Sequence, residues 1–426
     1  MQALLVLYLV NRLLLPGHVE NVGGFVAFRH LIEGAYGPLT TQALASAIFG
    51  LYAGLVYMTP IFGGLLADRV LGRRKTVIVG SLLMATGHFL MAFEQSFLLA
   101  LLCLVLGVGC FKGKIASQVG GLYPPGDHRA ADAFQIDYLG INGGVILAPL
   151  ICGTLGETLG WHYGFGAAGI GMLLGLAIYL AGGRWLPPET RAPRGGGRVA
   201  APRLKPGEGK VVALLLLLLP VFAVGVVGNQ EIFKAYLVWA QRSANFTAFG
   251  HDLPTTWLIT VDTIASVSAI AGAVLFWQAW ARRWPEPDEL TKIIIGSAVS
   301  VTGFLVLAAA AAWQAATGQK IAIGWLVAFH VLNSIGFANV LPVSLALYSR
   351  AAPAALGATI IGIYYLHLFA ANMMVGYVGG LLDKMPAVQF WLLHAAMAGA
   401  AAVVFLIGKP MFGGLLRRAE NAPREV

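Results

Sequence analysis

Charge is what this chain has least of. Aspartate, glutamate, lysine and arginine together make up 11% of its 426 residues, against 58% hydrophobic side chains, and the mean hydropathy is +0.77. A soluble globule has roughly a quarter charged residues overall, so a soluble globule is excluded. Cysteine is nearly absent as well. Cys103, Cys110 and Cys152 lie inside apolar runs, with neither metal-ligand spacing nor a disulfide framework, and read as small helix-packing residues. The chain has no phosphate-cradling loop, no metal-binding helix motif and no nucleophile elbow. Nothing supports an enzyme, a metal or an organic cofactor. No cleavable signal peptide is visible either, since the chain opens directly in apolar sequence.

What it has is apolar runs. A helix needs roughly 20 apolar residues to cross the hydrocarbon core. Such runs recur near 1–15, 42–66, 76–93, 96–119, 132–153 and 161–183, and again near 211–237, 255–281, 291–313, 321–348, 356–381 and 387–408. This predicts an all-α membrane protein of twelve spans in two six-helix bundles, residues 1–183 and 211–426. The stretch between them, 184–210, contains RAPRGGGRVAAPRLKPGEGK and reads as a solvated cytoplasmic linker. Two such repeats with a site between them are a common plan of secondary transporters. Glycines such as Gly171 and Gly175 stand at the small-x-x-x-small spacing that lets helices approach closely.

The few charges have a pattern. On this layout most Lys and Arg fall in the loops after even-numbered spans and at the C-terminus, leaving Arg12, Arg29, Arg242, Lys320 and Lys384 on the opposite side. Both termini are therefore expected in the cytoplasm. The formal net charge of +9 is topological, and these cations share no soluble surface that could bind nucleic acid. The densest cluster is GGLLADRVLGRRK, with Asp68, Arg69, Arg73, Arg74 and Lys75 just past an apolar run. A stop signal accounts for its cations but not for its acid and glycines. The pattern resembles the loop between spans two and three of major facilitator transporters, which implies that fold.

Two further segments narrow the resemblance. LGVGCFKGKIASQVGGLYPPGD ends span four, and DAFQIDYLGINGGVILAPLICG covers span five. Gly107, Gly109 and Lys112, with Phe134, Tyr138, Ile141, Asn142 and Gly144, closely resemble the motifs of the proton-coupled oligopeptide transporter family. A lysine within a span costs a few kcal/mol on insertion scales, so Lys112 should face a wet cavity or an anion; Lys114, nearer the interface, suits snorkelling. The resemblance implies that Lys112 approaches the peptide carboxylate or joins in proton coupling, and that Asn142 holds the peptide backbone. An interhelical hydrogen bond is the plainer role for Asn142. Tyr57 in LVYMTP matches the family tyrosine of the pocket, whereas Tyr52 suits packing or the interface.

The chain also departs from the family. The span-one motif E-x-x-E-R-F-x-Y-Y-G should precede MQALLVLYL, which begins at Met1; the expectation is that the chain starts partway through its first helix. In span seven Asn229 stands where the family has an acid, and it joins the expected substrate-binding residues. Glu231 follows, with Lys234 three residues on along one helical face. These two either neutralise one another or make Glu231 a gate acid. Asp262 lies inside span eight, where an isolated aspartate implies a cavity or a cationic partner. Span ten has no acid: Phe337 falls near its place, and His330, Asn333 and Asn339 are polar remnants. A lone packed histidine is the commoner reading of His330, although it would titrate near neutral pH. On span eleven Tyr364 lies near the family's aromatic pocket position, and Asn372 reads as structural. The two extra helices of many bacterial members are not expected.

Function is then expected to be proton-coupled import of di- and tripeptides by a monomer in a bacterial-type inner membrane, with protons as the coupling ion and membrane lipid as surroundings. The alternative keeps the fold and carries nitrate, a modified amino acid or another small solute. A membrane sensor that binds without flux is the third reading.

Overall fold

The computed structural model describes residues 2–120, 122–123, 129–186, 204–205, 207–248, 250–353 and 356–420. Ten helices among them are long and apolar enough to cross a membrane. Two other expected spans are marginal: 73–90 opens on three cations, and 2–13 is apolar but short. The protein is an integral multi-pass membrane protein. Its chain forms two compact units, residues 1–196 with 248–260, and residues 197–247 with 261–426. Most of the expected linker, 184–210, lies outside the described residues.

The first unit begins with α1 (Gln2–Tyr8), which runs through a π-helical turn to Leu13. Its apolar face is fully covered, and the Tyr8 ring meets the edge of Phe165 at 5.2 Å. A short helix that hydropathy alone did not suggest, α2 (Phe25–Tyr36), follows, burying only Phe25 and Ile32. Then come α3 (Thr41–Leu66), α4 (Arg73–Leu90), α5 (Phe97–Gly120), α6 (Arg129–Ala148), α7 (Thr154–Thr158) and α8 (Trp161–Ala181). Small residues set the spacing. A Cβ on Gly80 of α4 would sit 2.8 Å from the Gly107 carbonyl oxygen of α5, and one on Gly109 would sit 2.9 Å from the Thr59 carbonyl of α3. With no solvophobic drive between helices in lipid, such close approach supplies the packing energy.

The basic motif is not a loop. A π-helical turn, Ala67–Leu71, extends α3, Gly72 takes φ 81°, and α4 starts at once with Arg73. That left-handed glycine reverses the chain in a single residue, so Arg73 and Arg74 occupy the first turn of a helix rather than a loop. Arg74 lies against the backbone of Gly183, just past α8. Arg69 is exposed on the π turn, and the side chain of Asp68 lies outside the described residues.

The second unit contains α9 (Glu208–Glu231), α10 (Ala235–Ser243), α11 (Trp257–Ala281) from Val261 onward, α12 (Glu289–Thr317), α13 (Ile323–Ala351), α14 (Gly357–Tyr364), α15 (Leu366–Val378) and α16 (Ala387–Glu420). Spans seven and eleven are each broken, at Ile232–Lys234 and at Tyr365. Phe222 sits in the core with Phe405, Tyr348 and Tyr364 around it, ring centroids 4.8 to 6.5 Å away.

Candidate functional site

In the first unit, the packing just described brings two expected residues together. The close approach of α3 to α5 at Thr59 and Gly109, helped by the Thr59 hydroxyl donating to the Val105 carbonyl at 3.1 Å, carries Tyr57 and Lys112 to the same level. The Lys112 ammonium lies over the Tyr57 ring, 4.8 Å from its centroid. A ring face attracts a cation without neutralising it, and Lys112 remains exposed, so its charge is available to an anionic group. Asn142 on α6 donates to the carbonyl of Tyr138, 2.8 Å away in its own helix. That bond is intrahelical, not the interhelical one weighed for it. Tyr138 and Ile141 are exposed beside it.

Among the described residues of the second unit, the two expected acids lie in separate buried polar clusters. One surrounds the break in span seven. The Glu231 carboxylate accepts the Ala235 amide at 3.1 Å, capping the first turn of α10, and its other oxygen lies 3.6 Å from Nε2 of His394 on α16. Lys234 has φ −135° and ψ −113°, outside the helix, and its ammonium donates to the side-chain oxygen of Asn372 at 3.0 Å. Asn372 in turn donates to Gln230 and to the Leu368 carbonyl. Glu231, Lys234 and His394 are all 0% exposed. The expectation of a continuous helical face through Glu231 and Lys234 is therefore corrected. An anion at a helix N-terminus is stabilised by the aligned amides, and Glu231 takes that role by ending one helix and starting the next.

The other cluster joins three helices. Asp262 on α11 bonds Nδ1 of His330 on α13 at 2.9 Å, and Nε2 of His330 bonds the Tyr236 hydroxyl on α10 at 2.9 Å. His330 and Tyr236 are 0% exposed and Asp262 is 9% exposed. His330 is thus not a lone packed histidine, and it supplies the partner that an aspartate inside a span requires. Below it Ser266 meets Ser334 at 3.1 Å, and the Trp277 indole donates to Asn339 at 2.8 Å.

Two expected substrate residues fall elsewhere. Tyr364 is 0% exposed, its hydroxyl held by Ser344 at 2.7 Å and by the Leu341 carbonyl at 3.2 Å. It is a core residue here, its ring 6.5 Å from that of Phe222. Asn229 accepts from Gln230 at 3.4 Å and lines, with Ser300, Asn333 and Phe337, a cavity of about 20 Å³. That is water-sized rather than peptide-sized. Among the described residues no cluster of His, Cys, Asp and Glu is arranged to hold a metal.

A family model, that of the PTR2 or POT family, matches residues 74–194 and 210–397, well over half of the chain. The chain belongs to the POT family. The sequence is 28% identical to the peptide transporter YePEPT of Yersinia enterocolitica over 86% of both proteins. It is 24% identical to a di-/tripeptide transporter of Lactococcus lactis, again over 86% of each. A crystal structure of a peptide transporter POT in complex with sulfate superposes with a TM-score of 0.81 at 24% identity, covering 97% of this chain and 92% of that one. That likeness establishes the major facilitator fold. POT proteins are transporters, not enzymes. In this POT chain Lys112 and Tyr57 of the first unit lie together, while span ten in the second unit has no acid and carries His330 seven residues before Phe337. His394 was missed by sequence reasoning. An ionisable residue inside an apolar run, HAAMAG at 394–399, was the available signal.

Proposed function

We propose that this protein imports di- and tripeptides in symport with protons, as a monomer in a bacterial-type inner membrane with both termini in the cytoplasm. The observation that carries the reading is the exposed Lys112 ammonium held over the Tyr57 ring in a POT chain. An ammonium kept on an exposed face by an aromatic platform suits a peptide's terminal carboxylate, since a charge-assisted hydrogen bond there is worth about 1.5–3 kcal/mol. Asn142 is the candidate for the peptide backbone. Relatives named as peptide and di-/tripeptide transporters support that substrate class. The distribution of cations supports the orientation. Transport proceeds by alternating access, with Glu231 and Asp262 as the buried carboxylates of proton coupling, and a proton bound in their clusters shifts the populations of inward and outward states.

The experiment is uptake of labelled dialanine into proteoliposomes under an inward proton gradient. Accumulation that a protonophore collapses is the expected result; no uptake by the folded protein refutes the reading. A second reading, a non-peptide small solute, is favoured by the acid-free span ten, since a peptide's free amine would want that carboxylate. Free dipeptides compete with the labelled substrate on the first reading and leave uptake untouched on the second.

A further inference from the structure

The family's second-unit acid is missing from span ten, yet span ten is not without a titratable group. We infer that His330, held between Asp262 and Tyr236, is a proton-binding site of this transporter and takes the place of that acid. The inference rests on the proton-coupled reading above and names its site.

The chemistry follows from donors and acceptors. An ionised Asp262 can only accept, so Nδ1 of His330 must carry the hydrogen of their 2.9 Å bond. Nε2 of the neutral ring is then an acceptor, and the Tyr236 hydroxyl donates to it across 2.9 Å. In this state the cluster holds one uncompensated negative charge inside the bilayer. Binding one proton at Nε2 makes an imidazolium beside a carboxylate, and the net charge of the cluster falls to zero. Low-dielectric surroundings favour the neutral sum. The same proton reverses the second hydrogen bond. Nε2 becomes a donor, and the Tyr236 oxygen must turn from donating to accepting.

That reversal reaches α10 two residues past Lys234, at the break where span seven is already interrupted. A proton arriving at span ten thus changes a hydrogen bond on span seven, the kind of bistable contact a gate requires. Among the described residues the titratable groups against the His330 ring are Asp262 from α11 and Tyr236 from α10; Phe329 beside it on α13 is apolar. Asp262 is the more accessible end of the cluster, with its side chain 12% exposed against 0% for His330.

The test uses the full chain in proteoliposomes, with labelled dialanine measured both by proton-driven accumulation and by counterflow without a gradient. His330→Gln keeps hydrogen-bonding atoms but cannot carry the proton. Accumulation relative to counterflow is expected to fall at least tenfold, and the pH dependence of uptake to flatten. Tyr236→Phe removes only the hydroxyl and guards against a Gln variant that does not fold. Because its hydroxyl makes the bond that reverses when the ring is protonated, accumulation relative to counterflow should fall while counterflow itself persists. Ser266→Ala, one turn below, serves as the unaffected control. Wild-type accumulation with both variants matching it in ratio and pH profile overturns the site alone. No proton-driven accumulation by the wild type overturns the proposed function and this site with it.

Discussion

Gly109→Ala tests whether the meeting of Tyr57 and Lys112 depends on how closely α3 and α5 approach. An added Cβ would lie 2.8 Å from Cβ of Thr59, 2.9 Å from its carbonyl oxygen and 3.0 Å from its carbonyl carbon. Ordinary contact begins near 3.5 Å, and two of the three atoms are backbone, which cannot rotate away. The helices must therefore separate by roughly 0.5–1 Å at this crossing. Overpacking of this kind costs about 1–3 kcal/mol. Against it stands the gain of about 1 kcal/mol that alanine brings to a helix interior over glycine. The net is a modest loss of stability, with a larger effect on function. Lys112 lies three residues past the strained position and Tyr57 two residues before Thr59, so the 4.8 Å ammonium–ring distance opens directly. Gly64→Ala is the matched control, because nothing lies within 4 Å of its Cβ. Thermal unfolding of both purified variants and dialanine counterflow are the measurements. Gly109→Ala should melt lower than Gly64→Ala and bind dialanine more weakly. If the two are indistinguishable in both assays, the crossing does not set the site.

Lys112→Gln should lower dialanine counterflow about 10- to 100-fold, the value of one charge-assisted hydrogen bond, with the loss appearing chiefly in KM. Asp288 caps α12 by accepting the Thr291 amide at 2.9 Å, and Lys409 lies 3.1 Å away. Burial pushes its carboxyl up, but the Thr291 hydroxyl and amide and the Lys409 ammonium outweigh that and hold it below the usual range. The folded form thus prefers the ionised group. Asp288→Ala should cost about 1 kcal/mol at neutral pH, and the difference should shrink as pH falls below about 4, where wild type loses the same contribution; melting curves across pH check this. The Glu157 carboxylate of α7 accepts the amides of Thr255 and Thr256 at 2.9 and 3.0 Å and the Thr256 hydroxyl at 2.6 Å, at the start of α11. Glu157→Ala leaves these donors without their acceptor and should destabilise the protein by about 1–3 kcal/mol, read as a lower melting temperature; an unchanged one would contradict the clasp.

Hydropathy and short motifs were enough to derive the membrane class, the ten long apolar spans and the family, because each depends on residues near one another in the chain. A run of apolar side chains must become a helix in lipid wherever it occurs, since no water is present to satisfy its backbone. The family resemblance marked Tyr57 and Lys112 as candidates, and the cost of a lysine within a span supported Lys112. What spacing could not supply was contact between distant segments. His330 looked like a packing residue until the crossing of α11 over α13 set it 2.9 Å from Asp262, 68 positions away. Tyr364 matched a pocket position in sequence, but its ring is buried in the core beside Phe222. Glu231 and Lys234 matched a helical pair until buried partners, Ala235 and Asn372, ended the helix between them. Local sequence determines which groups lie within the membrane. The tertiary structure decides which of them meet, because a buried polar group is worth most with a partner, and that partner stands on another helix.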